Sequence, residues 1–270
     1  MRLLLTNDDG IYARGLSTLY GELSQIAQCT IVAPETEQSA AGHAITIARP
    51  LMIREALRNG NFWGHAVAGT PADCVKIGIK ELVEGPVDLV VSGINLGANV
   101  GINVIYSGTV SAATEGAIMG VPAMAISLDS HDRGIDYAFA AKFAVRMALF
   151  MIKNPLRHIP LNVNIPAIAE EEIKGVAVVK QGKARLVESF EKRTDPRENI
   201  YYWLAGETQI TDALDMEDDW TALKRGFITI TPIHSDLTRH DLLQELGASI
   251  RKSFPDESAL LKKKLADQMS

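Results

Sequence analysis

Two adjacent carboxylates, Asp8 and Asp9, follow the aliphatic run Arg2-Leu3-Leu4-Leu5-Thr6 inside the turn Asn7-Asp8-Asp9-Gly10. Asn-Asp-Asp-Gly is good turn chemistry in its own right. Its charge has a further consequence: neighbouring aspartates at the end of a buried strand repel, and a bound cation relieves that repulsion. Two more oxygen donors fall just past later strands, Ser39 in the polar loop 35–43 and Asn95 in Ser92-Gly93-Ile94-Asn95. Two carboxylates, a hydroxyl and an amide carbonyl form a hard donor set. That set suits Mg2+ or Mn2+, with water and a substrate phosphate completing the sphere.

A glycine-rich stretch follows Asn95, with Gly97 and Gly101 interleaved by Asn99 and Asn103, and ends in Ser107-Gly108-Thr109 at the start of a small-residue helix. Glycines let backbone approach a ligand closely, and a helix N-terminus suits a phosphate. A Ser or Thr there is commonly a cap and nothing more, and the stretch is neither GxGxxG nor a P-loop. Its weight comes from following the strand that carries Asn95. His43 and His131 lie on the same predicted face as second-tier candidates. No His pair has ligand spacing such as HExxH, and Cys29 and Cys74 form no zinc or CxxC pattern and read as buried thiols.

Strand ends must bring these residues together. Short aliphatic runs at 2–6, 28–33, 87–91, 121–128 and 161–165 read as strands buried on both faces. Between them lie amphipathic or apolar helices: Leu16, Leu19, Tyr20, Leu23, Ile26 and Ala27 on one stripe, Val75, Ile79 and Leu82 on another, and 137–152. Thr70-Pro71-Ala72-Asp73 is a helix start, with Thr70 as N-cap and Asp73 in the first turn. This alternation predicts a Rossmann-like three-layer α/β/α fold with a mainly parallel sheet, whose ligand crevice lies at the carboxyl ends of the strands. The segments 44–53 and 62–68 read as extended partners across an Asn59-Gly60 turn. Strands at 176–180 and 199–204 flank a charged stretch, 183–197, as a projecting hairpin or flap, and a strand follows at 227–232. From Asp236 onward the chain reads as helical and charged, with Lys262-Lys263-Lys264 a solvated face. One domain over 1–270 is expected, its core mainly 1–170 with 226–232, a hairpin at about 175–205 and a C-terminal arm at about 236–270.

The 270 residues are 47% hydrophobic and 22% charged, with a net charge of −6, a composition long enough for one large core. The acidic balance argues against a broad nucleic-acid footprint but not against a single nucleotide held near a metal. The apolar run 137–152 contains Lys142 and Arg146 and is too short for a membrane span. A cytoplasmic protein, with no leader before the first strand, is the expectation.

The chain resembles the SurE (survival protein E) family of metal-dependent nucleotidases. The matching stretches are LLLTNDDGI, APETEQSAAGHAIT, GTPADCV, VSGINLGANVGINVIYSGTVSAATEG and GFITITPIHSDLT, in the family's order over nearly the whole chain. The resemblance implies phosphatase activity on nucleoside 5′-monophosphates, with 3′-monophosphates and short polyphosphate as further substrates. It implies one divalent cation per subunit on Asp8, Asp9, Ser39 and Asn95, with Asp8 and Asp9 the catalytic pair. Asn95, Asn99, Ser107, Gly108 and Thr109 fall on the substrate side, and a homodimer or tetramer is implied through the C-terminal arm. Many relatives are acidic where this chain has Ile102-Asn103, so charge near the phosphate loop differs. The alternatives are an acyl-phosphate mechanism on Asp8 or Asp9, less suited to adjacent aspartates than to an Asp-x-Asp pair, and a nonenzymatic Mg2+–nucleotide sensor.

Overall fold

The computed structural model describes residues 1–154, 159–209 and 217–254. The described residues divide into two units, 1–234 and 235–254.

In the first unit β1 (Arg2–Thr6) shows how the sheet is built. Side chains alternate across a strand. Leu3 and Leu5 therefore join one apolar cluster and Leu4 joins the other, and all three are fully buried. Burial on both faces removes any polar alternation from the strand, and each leucine contributes roughly 1.5–3 kcal/mol. The first cluster packs α1 (Arg14–Leu23) and α4 (Ala138–Lys153) on the sheet. The second packs α2 (Pro71–Ile77) and α3 (Gly108–Ile118) on the opposite face. This is the expected three-layer α/β/α arrangement.

β2 (Gln28–Pro34), β3 (Ile53–Arg58), β4 (Asn61–Val67), β5 (Leu89–Leu96), β6 (Ala123–Asp129) and β7 (Leu161–Pro166) follow. β8 (Val176–Val178) and β11 (Ile228–Pro232) complete a nine-stranded sheet among the described residues, in the order β3-β4-β2-β1-β5-β6-β7-β11-β8. From β4 to β7 neighbouring strands are parallel. Their carboxyl ends therefore lie on one edge, with β1 and β5 side by side at its centre. β11 runs antiparallel to β7, and β8 parallel to β11.

Three expectations are corrected. The residues 44–52 form no strand, and the hairpin begins only at Ile53. Asp73 accepts both the Thr46 N–H (2.9 Å) and the Thr46 hydroxyl (2.6 Å). Thr70 gives its hydroxyl to the Ala44 carbonyl at 2.7 Å, so this segment is held by the capping box of α2 and not by a strand neighbour. Second, α1 ends at Leu23, and Ile26 and Ala27 belong to the turn whose N–H groups return to the Leu23 carbonyl. Third, the flap strands are β9 (Arg185–Thr194) and β10 (Ile200–Gln209), paired antiparallel. The charged stretch is itself the first strand, and 176–178 joins the main sheet. An isolated ribbon has little face to bury, so it lacks the aliphatic run that marks the core strands. The short helix α5 (Asp219–Lys224), capped by Asp218, was not expected.

The second unit contains α6 (Leu243–Ser253), with Leu243, Leu246 and Ile250 on one stripe. Leu260, Leu261, Leu265 and Lys262 to Lys264 lie outside the described residues.

Candidate active site

β1 delivers Asn7, whose amide donates to the Gly10 carbonyl at 2.9 Å and closes the turn around the two aspartates. The Gln38 N–H donates to the Asp8 carbonyl at 2.7 Å, which draws the loop after β2 over the same strand end. On the other side the start of α3 meets the Asp8 side chain. Thr109 donates its hydroxyl to Asp8 Oδ1 (2.5 Å) and its N–H to Asp8 Oδ2 (3.1 Å). A glycine is required beside them, because a Cβ on Gly108 would come within 2.8 Å of the Asp8 Cβ.

A cavity of about 470 Å3 opens at this edge of the sheet, lined by Asp8, Asp9, Ser39, Asn95, Asn99 and Ser107 together. Of the predicted residues, Gly108 and Thr109 do not line it; they support Asp8 from behind. Burial pushes the Asp8 carboxyl up, against the lowering effect of Thr109. The Asp9 carboxyl is pushed up to about 7 by burial first, then by the charges of Asp8 and Glu37.

Asn95 gives its amide N–H to the Gly97 carbonyl at 2.8 Å, which leaves its side-chain oxygen as the group to offer a ligand. Ser39 donates its hydroxyl to Glu37 at 2.5 Å, so its lone pairs face no competing donor in that bond. Among the described residues no three His, Cys, Asp or Glu side chains gather as a metal cluster. A cation here would use two carboxylates with hydroxyl and amide oxygens and keep several waters. That all-oxygen donor set suits a hard divalent cation.

Asn99 is fixed from three sides. Its N–H donates to Asn164 Oδ1 (2.8 Å), its amide donates to Ser127 (2.8 Å), and its carbonyl accepts from Asn162 (2.8 Å) and Asn164 (3.0 Å). Ser107 caps α3 by accepting the Val110 N–H at 3.1 Å, which leaves its own O–H proton to donate.

His131 lines the cavity and His43 does not. His43 instead meets the buried Glu115 at 2.8 Å, and Lys76 meets the other oxygen of Glu115 at 2.5 Å. The lining also includes Glu37, Tyr106 and Arg133, which sequence reasoning had not singled out. Glu37 stands two residues from Ser39 in the same loop, and Arg133 two residues past His131. Strand-end position was a usable signal for both.

A model of the family described as Survival protein SurE matches residues 3–188. A protein of Syntrophus aciditrophicus named 5′-nucleotidase SurE is 65% identical over 253 residues, 93% of this chain and 95% of that protein. One of the same name from Syntrophobacter fumaroxidans is 51% identical over 92% of this chain and 98% of its own. The crystal structure of Sure protein from Aquifex aeolicus superposes with a TM-score of 0.77 at 36% identity, covering 93% of this chain and 99% of that one.

Proposed function

The chain belongs to the SurE family, and on that premise we propose that it is a 5′-nucleotidase whose cavity holds one divalent cation, Mg2+ or Mn2+. It hydrolyses nucleoside 5′-monophosphates to nucleoside and phosphate, with 3′-monophosphates and short polyphosphate as further substrates. The observation that carries this reading is the convergence of Asp8, Asp9, Ser39 and Asn95, from three strand ends, on one cavity.

Asp8 and Asp9 supply the negative charge that holds the cation, and Ser39 and Asn95 add neutral oxygens that fix its place. When bound, the cation lends Lewis-acid charge to the phosphoryl oxygens and to water. Thr109 keeps the Asp8 carboxylate oriented. The Ser107 hydroxyl, with its acceptor side taken by Val110, donates to a phosphate oxygen. Arg133, whose charge already lowers the Asp9 carboxyl's pKa, offsets phosphate charge from the far wall. Asn99, held rigid by Asn162, Asn164 and Ser127, orients the substrate.

No helix among the described residues is long and apolar enough to cross a membrane. The C-terminal arm serves association with a second copy, and no stable nucleic-acid partner is expected at a net charge of −6. Steady release of phosphate from AMP with Mn2+ supports the enzyme; stoichiometric AMP binding without release would overturn it.

A further inference from the structure

A buried carboxylate outside the cavity lining lies on α5. Asp219 has no exposed surface, and its two oxygens join segments far apart in the chain. Oδ2 accepts the Gly101 N–H at 3.0 Å, and Oδ1 accepts the N–H groups of Gly182 (2.9 Å) and Trp220 (2.8 Å). Two further bonds close the same joint. Gln181 donates its side-chain amide to the Gly101 carbonyl at 2.7 Å, and the Ile102 N–H donates to the Ala184 carbonyl at 2.8 Å. Gly101 has φ +57°, and a Cβ there would lie 2.1 Å from the Ala184 carbonyl oxygen, so only glycine can sit in the joint.

The joint has a place in the site. Gly101 begins the 3-10 turn Gly101–Tyr106, and that turn carries Asn103 and Tyr106, both of which line the cavity, into Ser107. Tyr106 is the one Phe, Tyr or Trp among the lining residues, and an aromatic face with a neighbouring amide is the chemistry that receives a nucleobase. The cation donors occupy the strand ends, and of the remaining lining the turn offers the aromatic face and amide suited to the nucleoside half of a substrate.

We propose that Asp219 is a positioning residue for the nucleoside: it pins the Gly101–Tyr106 turn to the segment 181–184 and so sets where Asn103 and Tyr106 stand at the cavity. The proposal rests on the nucleotidase reading. An asparagine at 219 keeps the shape and fails electrically. With its single oxygen facing Gly182 and Trp220, its NH2 group is set against the Gly101 N–H, donor against donor.

The test compares AMP with glycerol 2-phosphate, which has neither a sugar nor an aromatic ring, on full-length enzyme with Mn2+. Asp219→Asn should raise the KM for AMP about tenfold, as loss of one buried charged hydrogen bond would, and leave kcat and KM for glycerol 2-phosphate within about twofold. An equal loss on both substrates, or no loss on either, would overturn the proposal. If Asp219→Asn does not fold, Gln181→Ala, which removes one bond of the joint and leaves the buried carboxylate in place, decides by the same split in smaller measure. Wild-type protein that turns over neither substrate would instead overturn the nucleotidase reading. Calorimetric AMP affinity, weakened or unchanged in the variant, would then still decide the role of Asp219.

Discussion

Thr109 gives both its hydroxyl and its backbone N–H to the carboxylate of Asp8, 101 residues earlier in the chain. One residue thus occupies a lone pair on each oxygen of a proposed cation ligand and turns the carboxylate toward the cavity. Thr109→Val keeps the shape and the N–H bond but removes the hydroxyl. We expect Mn2+ affinity to fall about 10- to 100-fold, as for other partners that orient a metal ligand, with about 1–3 kcal/mol of stability lost. Calorimetric titration of the cation checks this. A raised KM for AMP with unchanged cation affinity would place Thr109 on the phosphate instead.

The Asp9 carboxyl, pushed up to about 7 from 3.8 by burial and by Asp8 and Glu37, opposes folding of the cation-free protein. Between those values the folded state binds more protons than the unfolded one, so this group's contribution falls as pH rises through them and levels off above about 7. Asp9→Asn should therefore stabilise the protein in chelator at pH 8, by about 1–3 kcal/mol after discounting for the open side of the cavity. The gain should shrink as pH falls through 7 and vanish near 4. Thermal melts of both proteins in chelator, at pH 8, 6 and 4, measure it.

Glu115 behaves with the opposite sign. Its hydrogen bond to His43, and then its bond and ion pair with Lys76, hold its carboxyl below the usual value of 4.5. The stability it contributes is present above pH 4.5 and is lost as pH falls through its lower folded value. Glu115→Gln should cost about 1–3 kcal/mol at pH 7, and the difference from wild type should narrow on acidification. Urea midpoints at pH 7 and pH 4 are the check. His43 also ends the loop that carries Ser39, so cation affinity should weaken in the same variant.

Much of the site could be read in the sequence because strand ends are readable. β1, β2, β5, β6 and β7 are buried on both faces, which leaves continuous aliphatic runs, and the residues just past those runs are the ones a parallel sheet gathers. The cap of α2 was readable for a local reason: Thr70 and Asp73 satisfy each other's N–H groups across three residues. The resemblance sets Thr109 on the phosphate side, whereas its bonds to Asp8 span 101 positions and leave no local trace in the sequence. Asp219 was missed for the same reason. The bounds of the hairpin β9–β10 were not legible because its residues 189–194 and 200–205 are exposed and set no buried face to mark a pattern.

The arm from Ser235 onward carries Leu243, Leu246 and Ile250 on one helical stripe, and the sheet of the first unit is complete without it. Truncation before Asp236 should leave cation binding intact and shift light scattering toward smaller species. An unchanged oligomeric state would contradict a role in association.

On the proposed function, Asp8 and Asp9 hold a cation without which phosphate ester hydrolysis stops. Phosphate release from AMP should be measured on full-length protein after exhaustive chelation and again after Mg2+ or Mn2+ is restored, beside Asp8→Asn and Asp9→Asn. The expected outcome is no release in chelator, recovery with either cation, and losses of about 100-fold or more in both variants, each still melting cooperatively. Full activity in a sample verified to be metal-free, or unchanged turnover in both variants, would contradict it.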